Sequence, residues 1–192
     1  GKTKVKETLR PSEELIKQQV VPALLATLKA EDNNDIVTGC MMALAKIGDA
    51  KTESGSSQFA DVIKAFLVSG NQEISETSAV ALGVMADPAN IGMLGELLRD
   101  TNVGRELVSG NSSKEVPYRT RAFAAYGLAL TGKVSGDAEV QRQIVRLLAD
   151  VLESDKSSTK DVKVSAVIAL GLVPIDPLEP AETTPGKPVP ER

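Results

Sequence analysis

Five side chains have the types and spacing to anchor a protein partner. Tyr118, Arg119 and Arg121 fall within four consecutive residues, and Lys163 and Glu76 stand in two further segments of similar sequence. An arginine beside an aromatic ring is a common interface anchor, because the guanidinium stacks on the ring face and hydrogen-bonds at its edge. Arg119, Arg121 and Lys163 are the cations of these segments, with Tyr118 and Tyr126 close to the first two in sequence; Glu76 and Thr38 hold corresponding places earlier in the chain. On this reading, reversing both arginine charges leaves the helical signal and melting nearly unchanged. The competing reading is that these arginines solvate helices or bridge to neighbouring acids. Both readings stay open at this point.

Covalent and metal chemistry has less to work with. There is no His, no Trp and one Cys in 192 residues. Ser–His and Cys–His pairs, imidazole metal sites and a His general base are therefore excluded. Cys40 lies between Gly39 and Met41, where an apolar, buried role is expected rather than an activated thiolate. Ser157-Ser158-Thr159-Lys160 has a Ser-x-x-Lys spacing, but Ser158 and Asp161 make a capping box for a following helix. Glu31-Asp32-Asn33-Asn34-Asp35 is oxygen-rich yet lacks the glycine and terminal Glu of a calcium loop. Asn34 or Asp35 as a helix N-cap accounts for it. Asn111-Ser112-Ser113 fits a glycosylation acceptor, a short motif that chance produces often. No catalytic residue, metal site or cofactor is expected.

These side chains need a scaffold to position them, and the composition bounds it. Hydrophobic residues make up 42% and the net charge is −4, which suits a folded helical domain. An acidic body argues against a nucleic-acid partner that depends on phosphate neutralisation. No apolar run approaches the ~18–20 residues of a membrane span. One Cys allows no internal disulfide, and localisation stays open. Residues 1–11 are expected to be a flexible segment. Pro174, Pro177, Pro180, Pro185, Pro188 and Pro190 mark 174–192 as a Pro-rich linker or tail. The start at Gly1 rather than Met suggests an excised piece of a longer protein.

Between these ends one segment recurs four times. The copies begin at Ile36, Ile74, Tyr118 and Val162, and each reads aliphatic or aromatic, then often basic, two variable, small, two variable, Ala, Leu or Tyr, small. Steps between Leu44, Leu82, Tyr126 and Leu170 are 38, 44 and 44 residues. A fainter apolar pattern precedes each copy, as in Leu24-Leu25-x-x-Leu28 and Leu147-Leu148-x-x-Val151-Leu152. Each unit therefore reads as an outer A helix followed by an inner B helix, giving units of about 12–48, 56–87, 88–131 and 137–173. Cys40, Ser78, Ala122 and Ala166 form a column of small residues that lets an A helix approach, and the Leu/Tyr column fills the space between layers. Pro22 is expected at a bend in the first A helix, and Asp87-Pro88 as the start of the third. From Leu98 to Tyr118 the third unit spends 20 residues where the others spend 7–10. This insert should hold a helical piece around Asn102–Val108 and then a mobile loop, as a surface excursion or part of a binding face.

The B segments resemble the Val-Arg-x-x-Ala-x-x-Ala-Leu-Gly signature of HEAT repeats, the subtype shared with phycobilin-lyase-like proteins. The fourth copy matches almost letter for letter, with Lys163 for Arg; the second has Ser75 and the first Val37 at that place. The resemblance covers roughly Ser12 to Val173, at a period in or near the ~40–47 residues of such repeats. It implies an all-α fold, a right-handed α-α superhelix of about four helix pairs, with B helices lining the concave surface. It also implies a non-catalytic scaffold that binds a protein partner or neighbouring domain through that surface, on which Arg119, Arg121 and Lys163 would form a local basic cluster near Tyr118 or Tyr126, with Tyr118, Arg119, Arg121, Lys163 and Glu76 as contacts. This piece is expected to be a monomer. Two alternatives accompany it: a phycobilin-lyase-like or other HEAT-like accessory enzyme, and a structural segment of a longer multidomain protein. The missing His excludes the iron-binding His-Glu chemistry of HEAT-like hydroxylases, and the missing Trp and acidic body oppose the HEAT-like DNA glycosylases.

Overall fold

The computed structural model describes residues 11–49, 51, 57–154 and 158–174. The calls on residues 1–10 and 175–192, and on Ser157, lie outside these residues. Among the described residues all regular structure is helical, and no helix is long and apolar enough to cross a membrane.

The first unit starts with α1 (Glu13–Leu15), continues through a π-helical turn (Ile16–Val20) and runs on as α2 (Val21–Ala30). Proline explains the widened turn. Pro22 has no amide hydrogen, and its ring would strike the carbonyl one α-turn back, so the register loosens and Val21 N bonds Ile16 O, five residues earlier. The expected bend thus takes the form of a π-turn.

The remaining elements are α3 (Asn34–Ile47), α4 (Gln58–Lys64) with a 3-10 extension (Ala65–Val68), α5 (Gln72–Val84), a 3-10 turn (Pro88–Asn90) leading into α6 (Ile91–Leu98), α7 (Asn102–Ser109), α8 (Tyr118–Val134), α9 (Ala138–Glu153) and α10 (Lys160–Leu172). Caps set most of the starts. Ser57, Asn71, Asp87, Thr101 and Asp137 each accept a hydrogen bond from a first-turn amide of the element they open. Two caps differ from the sequence expectation. Asn33, not Asn34 or Asp35, caps α3 by accepting from Ile36 N at 3.2 Å. Thr159, not Ser158, caps α10 by accepting from Val162 N at 3.4 Å. The α3 cap lies one or two residues before the expected place and the α10 cap one residue after it.

Helices α3, α5, α8 and α10 pack on one another in chain order, and α2 packs on α3, α4 on α5, α6 on α8 and α9 on α10. One buried cluster runs through all of them, from Leu28 to Val173. The small-residue column is buried in every unit. At Ser78 the close approach is visible: its Oγ donates to Ile63 O at 2.7 Å, and Ser75 Oγ donates to Leu67 O at 3.0 Å. Carbonyls at the C-terminal end of α4 and its 3-10 extension lack full helical partners, and these two hydroxyls satisfy them. The Leu/Tyr column is less uniform than expected. Leu44 and Leu82 are fully buried, whereas Tyr126 and Leu170 are half-buried. Tyr126 instead packs its ring against Phe123, with centroids 6.1 Å apart and planes at 88°.

The α5–α8 contact is the tightest feature of the core. A Cβ placed on Gly83 would lie 2.2 Å from the Cα of Gly127, and one on Gly127 would lie 2.9 Å from the carbonyl oxygen of Ala79. These two glycines close the second and third repeat motifs. One equivalent pair, Gly83 and Gly127, thus meets, and the helices run in the same direction: residue 76 meets 119 near their starts, and further along Thr131 Oγ1 donates to Gly83 O at 3.3 Å.

The insert folds as expected at its start. Thr101 caps α7, and Gly110 ends it in the left-handed conformation at φ 73°. Its return to α8 is tied down rather than loose. Asp100 accepts from Arg105 Nε and Nη2 at 3.0 and 2.6 Å and from Val116 N at 2.7 Å. The Asp100 hydrogen bond also holds the Arg105 guanidinium above its ordinary pKa. Asn111, the glycosylation-motif residue, sits exposed in a turn where its Oδ1 accepts from Ser113 N at 3.1 Å.

Candidate functional site

The N-terminal halves of α5 and α8 border a groove, and most of the singled-out residues meet there. Asn71 opens α5 by accepting from Glu73 N and Ile74 N at 2.9 and 3.3 Å. Glu76, one turn further, turns toward α8. Pro117 precedes α8 in an extended conformation, which brings Tyr118 and Arg119 out at the helix start. Arg119 Nη2 donates to Glu76 Oε2 at 2.9 Å, and Nε lies 2.9 Å from Oε1, off the hydrogen-bonding direction.

The two partners differ sharply in exposure. The Glu76 side chain is 4% exposed and that of Arg119 is 53% exposed. A carboxylate removed from water needs a cation to offset its desolvation, and Arg119 is that cation. The outer part of the guanidinium remains at the surface, with donors available to an incoming acceptor. Gln72, Glu73, Thr77 and Phe123 complete a hollow of about 490 Å³ around the pair. A second hollow of about 260 Å³ adjoins it through Gln72 and is lined by Tyr118, Ser75 and Thr120 among others. Thr120 Oγ1 is fully buried and makes no hydrogen bond.

Three of the five expected contact residues, Glu76, Tyr118 and Arg119, thus border one surface. Arg121 does not join them. It is 4% exposed, its Nε donates to Leu98 O at 2.8 Å, and its Nη2 donates to Ser158 Oγ at 2.8 Å. At the end of the first turn of α8 it runs inward, tying the end of α6 to the segment before α10. The expected cluster of exposed cations is therefore corrected: Arg121 is an internal strut, and Arg119 is already paired with Glu76. The expectation that reversing both charges spares stability falls with it. Lys163 lies half-buried on α10.

Sequence reasoning missed the inward course of Arg121, because the repeat pattern treats its position as variable. The signal available was Ser158, a polar residue just outside a helix that did not need it as a cap. Cys40 is buried, as its place in the small-residue column implies. Burial, and secondarily the negative charge of Glu31, push its thiol pKa up. Less thiolate is present than in a free cysteine, opposite to what a nucleophile needs.

The two adjoining hollows thus offer a guanidinium, a phenol, amide and hydroxyl groups, the Glu73 carboxylate and the Phe123 ring. These groups suit recognition by stacking and hydrogen bonding. Comparison with known proteins gives no match: no family model fits the chain, and no curated protein or solved structure matches it.

Proposed function

We propose that the chain is a short HEAT-like α-α superhelix acting as a non-catalytic scaffold, and that it holds a protein partner in the groove between α5 and α8. Arg119 anchors the partner, with Tyr118 and Phe123 as aromatic walls and Glu76 holding the guanidinium in place. The observation that carries this reading is the asymmetry of the Glu76–Arg119 pair, whose buried carboxylate fixes an arginine with half its side chain in solvent. A guanidinium held in advance loses less side-chain entropy on binding, so its hydrogen bonds count more fully toward affinity. An extended segment with backbone carbonyls and an apolar side chain fits this chemistry.

The test is capture from native lysate by the full chain and by the double variant Tyr118→Ala/Arg119→Lys. Lysine keeps a positive charge for Glu76 but removes the planar fork. The variant is expected to melt within a few degrees of the parent and to lose the captured partner by about tenfold or more, in line with a loss of ~1.4 kcal/mol or greater. Undiminished capture would place the binding surface elsewhere.

A further inference from the structure

The insert between α6 and α8 builds the smaller of the two hollows. Val108 of α7 and Lys114, Glu115 and Tyr118 on the return to α8 form part of its lining, and Leu67 and Ser75 of the second unit form another part. Asp100 fixes the return by accepting from Val116 N at 2.7 Å. It does so from left-handed backbone at φ 54°, a conformation that few residues other than glycine adopt.

Two hydroxyls stand at the floor of this hollow, those of Thr120 and Ser75, which are 0% and 4% exposed. The charged Lys114 and Glu115 are exposed at its mouth. Thr120 Oγ1 has no hydrogen-bond partner. Thr38, Ser109, Thr131 and Ser165 show how a helical hydroxyl is ordinarily satisfied: each donates to the carbonyl four residues earlier. Thr120 does not follow them, because the residue four earlier is Val116, ahead of the first turn of α8. A buried hydroxyl without a partner costs stability, and a valine of the same shape would not incur that cost.

Size and chemistry together limit the occupant. About 260 Å³ lies below the roughly 300–1,000 Å³ of a site that encloses a whole ligand, so the hollow suits one side chain. The tip of that side chain must be neutral, because the floor holds no charge to offset a buried ion. It must also both donate and accept. Ser75 gives its proton to Leu67 O at 3.0 Å and can only accept a further bond. Thr120 still has a proton to give. A primary amide meets both, its NH2 group donating to Ser75 Oγ and its carbonyl accepting from Thr120 Oγ1.

We propose that this hollow is a socket for a primary amide side chain, glutamine or asparagine, carried by the extended segment that Arg119 anchors. Gln72 lines both hollows, so one segment can reach the guanidinium and the socket together. The placing of the amide on that segment rests on the groove reading above; the preference of the socket for an amide does not.

NMR titration of the isotope-labelled full chain with N-acetyl-glutamine methylamide, and with its glutamate and leucine counterparts, reads the socket without any partner. Saturable shifts of the Ser75 and Thr120 backbone amides are expected from the glutamine compound, in the millimolar range open to so few atoms. The other two compounds should bind about tenfold more weakly, the value of one good hydrogen bond. Thr120→Val should lose the glutamine response by a similar factor while melting at or above the parent, since a methyl group replaces an unpartnered hydroxyl. No response in the parent overturns the proposal, as does an equal response to leucine or glutamate, or one that Thr120→Val leaves unchanged. A lower melting temperature for Thr120→Val also overturns it, because the hydroxyl would then be bonded within the fold. If the glutamine compound binds as expected while Tyr118→Ala/Arg119→Lys retains lysate capture, the groove reading alone fails and the socket stands.

Discussion

Gly83→Ala is expected to destabilise the protein by about 3 kcal/mol, the upper range for overpacking a well-filled core. The new methyl carbon would fall 2.2 Å from the Cα of Gly127 and 2.3 Å from its carbonyl oxygen. Both are backbone atoms, so no side-chain rotation relieves the contact and α5 and α8 must separate. That separation also stretches the Thr131 bond to Gly83 O and the Arg119 reach to Glu76. The same substitution at the matching motif position of the last helix, Gly171→Ala, should raise stability by about 0.5–1 kcal/mol, through helix propensity in open space. Denaturant unfolding of the two variants measures the contrast. Equal effects would show that the motif glycine has one role throughout the chain rather than a role set by its neighbours.

The second large effect concerns Arg121. Arg121→Met keeps much of the side-chain volume but removes every guanidinium bond. Leu98 O and Ser158 Oγ then lose a charge-assisted donor in a site largely closed to water. The expected loss is about 2–4 kcal/mol. Arg121→Lys should fall between, since one ammonium cannot span two acceptors as a planar fork does. Arg119→Lys, one residue N-terminal to Thr120 and half in solvent, should cost less than ~1 kcal/mol. Urea midpoints for the three variants check the order. If Arg119→Lys proved the most damaging, Arg121 would not be the internal strut described above.

The all-helical class and the pairing of helices were legible because apolar residues recur at helical spacing and a cap such as Asp87-Pro88 has local chemistry. The motif column at Cys40, Ser78, Ala122 and Ala166 was legible for the same reason: small residues at one repeated position imply close packing, and all four are buried. What the spacing does not encode is the rotation of each helix about its own axis. Leu82 and Tyr126 hold the same motif position, yet one is fully buried and the other half-buried. That rotation also decides that Arg119 faces a groove while Arg121, two residues on, runs into the interior. Glu76 was read as a surface residue because nothing in its own segment shows the cation that permits its burial. Arg119, 43 positions later, is supplied by the fold. Ser158 and Arg121 were each assigned a separate role, and the structure joins them to each other.

The most direct test of the scaffold reading is site-specific photo-crosslinking in native lysate, with a photoreactive side chain at position 118 beside the groove and, as a control, at position 103 on the exposed face of α7. The account predicts a discrete adduct with a partner protein from position 118, suppressed by excess unlabelled chain, and none from position 103. An adduct formed equally from both positions, or from position 103 alone, would contradict it.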